Sequence, residues 1–220
     1  MGQSLAALGG LDSPGDSVST PIFINNFNNL NRGFVQLVKW LTDAGYPPCI
    51  LDNDSTYHPL LEFYRATNVH VVHIGKNLGP YAFWELGLHK EQKDRFIVTD
   101  PDVAPAAGCQ LNLIAHMHAM MDRGYKKVGP SLRIDNLPSG KKKIIDWESQ
   151  FWTKPVDGGF EADIDTTFAM YEPGSWYRPE GKYLRLAPPY SFDHIPWYET
   201  EENDESLYYR AHARKEWTNW

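Results

Sequence analysis

The stretch RFIVTDPDV, residues 95–103, runs four strand-forming residues, Phe96 to Thr99, straight into two aspartates held apart by one proline. Carboxylates are costly to bury unpaired, so Asp100 and Asp102 at the end of an apolar run point to a surface opening or a cation. Upstream, short apolar runs alternate with helical stretches. PIFINNF (21–27) reads as a strand, and Leu30, Phe34, Leu37, Val38 and Leu41 then recur at helical spacing up to a stop at Gly45. PPCILDNDS (47–55) and VHVVHIG (69–75) read as two more strands, with a short helix over 57–67 between them and another over 79–92 before RFIVTD.

Strand and helix alternating through short links predict right-handed βαβ crossovers and an α/β fold with a parallel sheet. Polar residues gather just after each strand, at the carboxyl edge where open parallel sheets bind ligands. Asn25, Asn26, Asp52, Asn53, Asn77, Asp100 and Asp102 are therefore expected around one crevice; the competing reading of each is a turn former.

After the Asp pair the alternation is less regular. A helix is expected over 110–124, a strand over 125–135 and a helix over 142–152. FEADIDTTFAMYEP (160–173) reads as one strand, a proline-rich extended stretch covers 183–202, and a terminal helix covers 202–220. The 220 residues fit one domain, residues 21–220, preceded by a flexible arm over 1–20 that lacks the charge pattern of a signal peptide. A net charge of −7 argues against a nucleic-acid partner, because no basic excess exists to displace counterions. Two cysteines without metal-type spacing fit a reduced, cytoplasmic setting. With no run of eighteen apolar residues, no membrane span is expected.

The first strand is followed by NNFNNLNRG, with neither G-x-G-x-x-G nor G-x-x-x-x-G-K, which sets aside dinucleotide dehydrogenases and P-loop enzymes in their usual forms. A cation site takes the place of a glycine loop. Mg²⁺ and Mn²⁺ prefer oxygen ligands, and Mg²⁺ is usually held by one or two carboxylates plus substrate phosphates. D-x-D occurs three times, at 52/54, 100/102 and 163/165, but only Asp100/Asp102 ends an apolar strand at the centre of the expected parallel sheet. His116 and His118 form H-x-H, yet residues two apart on a helix do not face one another.

Taken together, PIFINNFNNLNRG, CILDNDS, IGKNLGPY, FIVTDPDVAP, VGPSLRIDNLP, WESQFW, IDTTFAMYEPG, LRLAPPY and DHIPWY resemble the small GT-A glycosyltransferase domains, related to family 2, of bacterial polysaccharide gene sets and large algal viruses. The resemblance covers about residues 21 to 200. It implies a Rossmann-like half, 21–103, that holds a nucleoside-diphosphate sugar, and a mixed half, 104–220, that binds the acceptor. By position it places Asn25, Asn26, Arg32, Asp52 and Asn53 near the base and ribose, and Asn77 and Tyr81 near the ribose or sugar. Asp100 and Asp102 would hold Mn²⁺ or Mg²⁺, with His194 of DHIPWY as a third ligand.

Breaking the anomeric bond to a diphosphate develops negative charge that a divalent ion neutralises, and Arg133 or Arg185 could assist electrostatically. An inverting reaction also needs a carboxylate base. Asp165 is the first candidate, being a charge inside a β-branched and aromatic strand; Asp163, Glu148 and Asp193 stay open, and a structural salt bridge explains Asp165 as well. For stacking on an acceptor, Trp197 and Tyr198 are favoured over Trp147, Phe151 and Trp152. The implied activity is transfer of a sugar from a UDP-, GDP- or dTDP-sugar, UDP first, to a glycan hydroxyl. A sugar nucleotidyltransferase and a non-catalytic glycan-binding domain are the alternatives.

Overall fold

In the computed structural model, which describes residues 20–214, every apolar run of the first half is a strand. These are β1 (Ile22–Asn26), β2 (Cys49–Asp52), β3 (His70–His73) and β4 (Phe96–Thr99), with helices α1 (Arg32–Asp43), α2 (His58–Ala66) and α3 (Ala82–Glu85) between them. Next come β5 (Val103–Pro105), α4 (Leu113–Asp122), β6 (Lys127–Leu132), α5 (Lys142–Ser149), β7 (Pro155–Val156), β8 (Gly159–Glu161), β9 (Ala169–Tyr171), β10 (Tyr183–His194) and α6 (Asp204–His212). The expected arm lies, but for Thr20, outside the described residues, as do 215–220 at the end of the expected terminal helix.

One sheet takes in all ten strands of the described residues, in the order β3-β2-β1-β4-β9-β6-β10-β8-β7, with β5 added beside β10. β3, β2, β1 and β4 are parallel; β9 runs antiparallel between β4 and β6, so the sheet is mixed. The molecule is thus a single α/β domain. Alternation along the strands sends Ile22, Ile24, Ile50 and Ile97 into one apolar layer with α1, α2 and α4. Phe23, Leu51, Phe96 and Val98 face the other way, against Phe83 and Trp84 of α3. Burying each such side chain is worth about 1.5–3 kcal/mol, which holds both helical layers to the sheet.

Local chemistry sets the element ends. The Asn31 side chain caps α1 by accepting from Phe34 N at 2.9 Å, and Gly45 takes φ +84° just past its end. The helix expected over 79–92 is shorter: α3 has four residues, Gly87 sits at φ +74°, and one 3-10 turn follows at Leu88–Lys90. The strand expected over 160–173 is also corrected. β8 pairs with β10 whereas β9 pairs with β4 and β6, so the chain leaves the sheet over 162–168 to cross between distant positions.

β10 carries a further irregularity. Its register against β6 shifts between Leu186 and Ser191, where Pro188 and Pro189 supply no N–H to a ladder. Such a bulge bends a strand. Beyond it Ser191–His194 continues, and His194 lies opposite Val103 of β5, next to Asp102.

Candidate functional site

From β1 the chain winds outward to β2 and β3, then returns to the other side of β1 to form β4. The carboxyl ends of β1 and β4 therefore flank a topological switch point, where an open sheet leaves a crevice. A crevice of about 1540 Å³ opens there, reached by Asn25 from β1 and by Asp100 and Asp102 after β4.

At one end Asn53 is a hub. Its amide donates to Asn25 Oδ1 at 2.7 Å and Gly79 O at 3.0 Å, and its carbonyl oxygen accepts from Leu78 N at 3.1 Å. Asn25 also donates to Gly79 O, and Asn77 accepts from Gly79 N. These three amides shape the 77–79 loop and line the crevice, as does Tyr81, whose ring stacks on Tyr177 at 4.3 Å. Three expected neighbours are placed elsewhere. Asn26 closes a turn with Asn29, Asp52 binds Ser55 N and His73, and Arg32 is exposed on the first turn of α1. For Asn26 and Asp52 the turn-former reading describes what the side chains do.

At the centre, Asp100 Oδ2 accepts from the Thr166 hydroxyl at 2.6 Å, and Asp100 N donates to Thr166 O at 3.2 Å. Burial, then the neighbouring Asp102, pushes the Asp100 carboxyl up to about 8, although the Thr166 hydrogen bond and the Lys127 charge oppose this. Desolvation is the larger cause, so the carboxylate form of Asp100 needs a positive charge beside it to persist at neutral pH. Asp102 Oδ2 lies 3.6 Å from His194 Nε2, and the His194 ring stacks on Trp197 at 4.6 Å. His194 Nδ1 is buried without a hydrogen-bond partner among the described residues. Asp100, Asp102 and His194 do not form a closed cage: among the described residues no three His, Cys, Asp or Glu side chains gather to hold a metal. A pair of carboxylates open to a ligand's phosphates is nonetheless the usual way a protein binds Mg²⁺.

The far wall carries the remaining candidates. Asp165 lies on the 162–168 loop rather than in a strand, so no strand environment explains its charge; it is exposed on the crevice lining. Asp163 pairs with Arg178 at 3.5 Å. Arg185 is 5% exposed and pairs with Glu148, which is 2% exposed, so most of its charge is spent inside the wall. Arg133 is placed off the crevice, in a separate cavity of about 430 Å³ with Trp152 and the two prolines of the bulge. There it donates to both carboxylate oxygens of Asp193 at 2.9 Å. Trp197 is buried, whereas Trp147 of α5 is half exposed on the crevice, the reverse of the expected ranking. Aromatic periodicity could not separate them, because α5 lies on the rim with little behind it.

Sequence reasoning passed over Thr166 and Lys127. Thr166 carries no signal beyond lying next to a candidate acid, and Lys127 falls within the strand expected over 125–135 with nothing in the sequence to set it apart from Lys126. No protein-family model matches this chain, and no curated protein is significantly similar to it.

Proposed function

We propose that this protein is a GT-A-type, metal-dependent glycosyltransferase that moves a sugar from a nucleoside-diphosphate sugar to a hydroxyl acceptor. The observation that carries the reading is the Asp100–Pro101–Asp102 turn: two acids at the carboxyl edge, at the switch point of a parallel sheet, with the Asp100 carboxyl driven up to about 8 by burial and its neighbour. A carboxyl in that state is stabilised by a cation. Asp100 and Asp102 would hold Mn²⁺ or Mg²⁺, with His194 beside Asp102, and the ion would neutralise charge developing on a departing diphosphate.

The chain's own residues supply the rest. Asn25, Asn53 and Asn77 fix a polar loop at the end of the crevice suited to a base and ribose, and the Tyr81–Tyr177 stack forms its wall. Of the four candidate bases, Glu148 is committed to Arg185 and Asp193 to Arg133, while Asp163 shares a half-exposed contact with Arg178 at 3.5 Å. Asp165, exposed on the crevice lining and next to Thr166, is the first candidate to take a hydroxyl proton, ahead of Asp163.

Hydrolysis of UDP-, GDP- and dTDP-sugars with and without Mn²⁺ tests the reading. Metal-stimulated hydrolysis of one donor, lost in Asp102→Ala, is expected. Pyrophosphate release from a nucleoside triphosphate and a sugar phosphate would instead indicate a nucleotidyltransferase. Glycan binding with no turnover of any donor would indicate a binding domain.

A further inference from the structure

Lys127, the first residue of β6, has no accessible surface, and the proposed chemistry leaves it without a role. Its ammonium donates to three backbone carbonyls, Ile164 O at 2.6 Å, Asp165 O at 2.9 Å and Tyr177 O at 3.0 Å. It also lies 5.0 Å and 5.7 Å from the ring centroids of Tyr171 and Tyr183. Three acceptors match the three N–H bonds of an ammonium. A methionine could fill the same space, so packing alone does not call for a charge there, and burying one is costly without such partners.

What the ammonium joins gives it a purpose. Ile164 and Asp165 belong to the 162–168 loop, outside the strands, which carries Asp165 and Thr166 to the crevice. One residue on, Thr166 holds Asp100 through its hydroxyl at 2.6 Å and its carbonyl at 3.2 Å. The third carbonyl belongs to Tyr177, whose ring stacks on Tyr81 in the opposite wall. One buried cation is thus tied to the carboxylate turn on one side and to the aromatic wall on the other.

We propose that Lys127 is a positioning residue: it pins the 164–166 turn so that Thr166 fixes the Asp100 carboxylate toward the crevice. The proposal rests on Asp100 being a cation ligand, as argued above. Outer groups that orient a ligand typically cost 10- to 100-fold in metal affinity when removed.

The test is a Mn²⁺ titration followed by the EPR signal of the free ion, on wild type, Lys127→Met, Thr166→Val and the double variant. Each single change is expected to weaken Mn²⁺ binding about tenfold, and the double change no more than about tenfold, since both cut one chain of contacts. Unchanged affinity in folded Lys127→Met, or a double variant about a hundredfold weaker, overturns the proposal. Should Lys127→Met not fold, Lys127→Arg replaces it: it keeps the charge but not the three-carbonyl geometry, and the same outcomes apply. If wild type binds no Mn²⁺, the cation reading itself fails, and amide hydrogen exchange over 164–168 decides about Lys127. Exchange at least tenfold faster in the Lys127 variant supports the pin, and unchanged exchange removes it.

Discussion

Arg185 and Glu148 face one another inside the protein, the guanidinium donating to the carboxylate while 5% and 2% of the two residues remain exposed. Arg185 Nε also donates to Asp163 O at 2.7 Å, and the Phe151 ring lies 4.0 Å from the guanidinium. Burial still pushes the Glu148 carboxyl up to about 7, so desolvation outweighs the attraction of its partner. Removing one member of such a pair strands the other: Glu148→Ala is expected to cost about 3–5 kcal/mol. Replacing both, as in Glu148→Leu with Arg185→Met, should recover most of that. Urea denaturation measures both, and a single variant within about 1 kcal/mol of wild type would show the pair to be solvated.

Stability should fall as pH rises from about 5 to about 8. Asp100, ordinarily near 3.8, titrates at about 8 in the folded protein, so the fold keeps a proton there that the unfolded chain has released. The contribution is full below the unfolded value and is lost as pH climbs through the folded one, at up to about 1.4 kcal/mol per pH unit for one proton. Glu148 and Glu205, both raised to about 7, act in the same direction, whereas Lys127, lowered to about 7 by burial, and the lowered His89, His116 and His118 act in the opposite one. Melting temperatures across this range should decline in wild type and decline less in Asp100→Asn or with added Mn²⁺. A wild-type profile that matches that of Asp100→Asn across this range contradicts the assignment.

Gly33, in the first turn of α1, tests how the helix seats the His194 segment. A methyl there would fall 2.3 Å from Ile195 Cγ1, far inside contact distance. Helix propensity alone favours alanine by about 1 kcal/mol, but overpacking costs about 1–3 kcal/mol and should win. Gly33→Ala is expected to lower the melting temperature and to shift the His194 imidazole resonances in NMR spectra. Higher stability would mean that Ile195 yields at no cost.

The amide hub is open to a similar test. Asn53→Ala leaves the buried Asn25 Oδ1 without its donor, at about 1–3 kcal/mol, and the part-buried Leu78 N without its acceptor. Because those bonds hold the 77–79 loop, nucleoside-diphosphate binding, read by thermal shift, should weaken along with stability. Loss of stability with binding intact would make the hub purely structural.

The first half of the fold was legible because its strands are bounded by apolar runs and its helices by spacing, as in α1 between Asn31 and Gly45. The second half was less so. Residues 160–173 have one β-rich composition, yet they serve two strands far apart in the sheet, and composition carries no information on sheet order. At the site, Asp100 and Asp102 stood out because charge at the end of a buried strand is unusual. Arg133 and Arg185 did not reveal their partners, since Asp193 and Glu148 lie 60 and 37 residues away in sequence. Lys127 was hidden for a related reason: its acceptors are backbone atoms, which no side-chain pattern announces.

The bulge in β10 acts as a phase setter. Residues of a strand point alternately to opposite faces, so the number of residues looped out between Leu186 and Ser191 decides which face each later residue presents. Four residues are looped out, an even number, so Leu186 and Phe192 fall on the same apolar face, while Arg185 and Ser191 share the other. The detour thus leaves the inside–outside rhythm of the strand intact while freeing its second half to take β5 as an added neighbour.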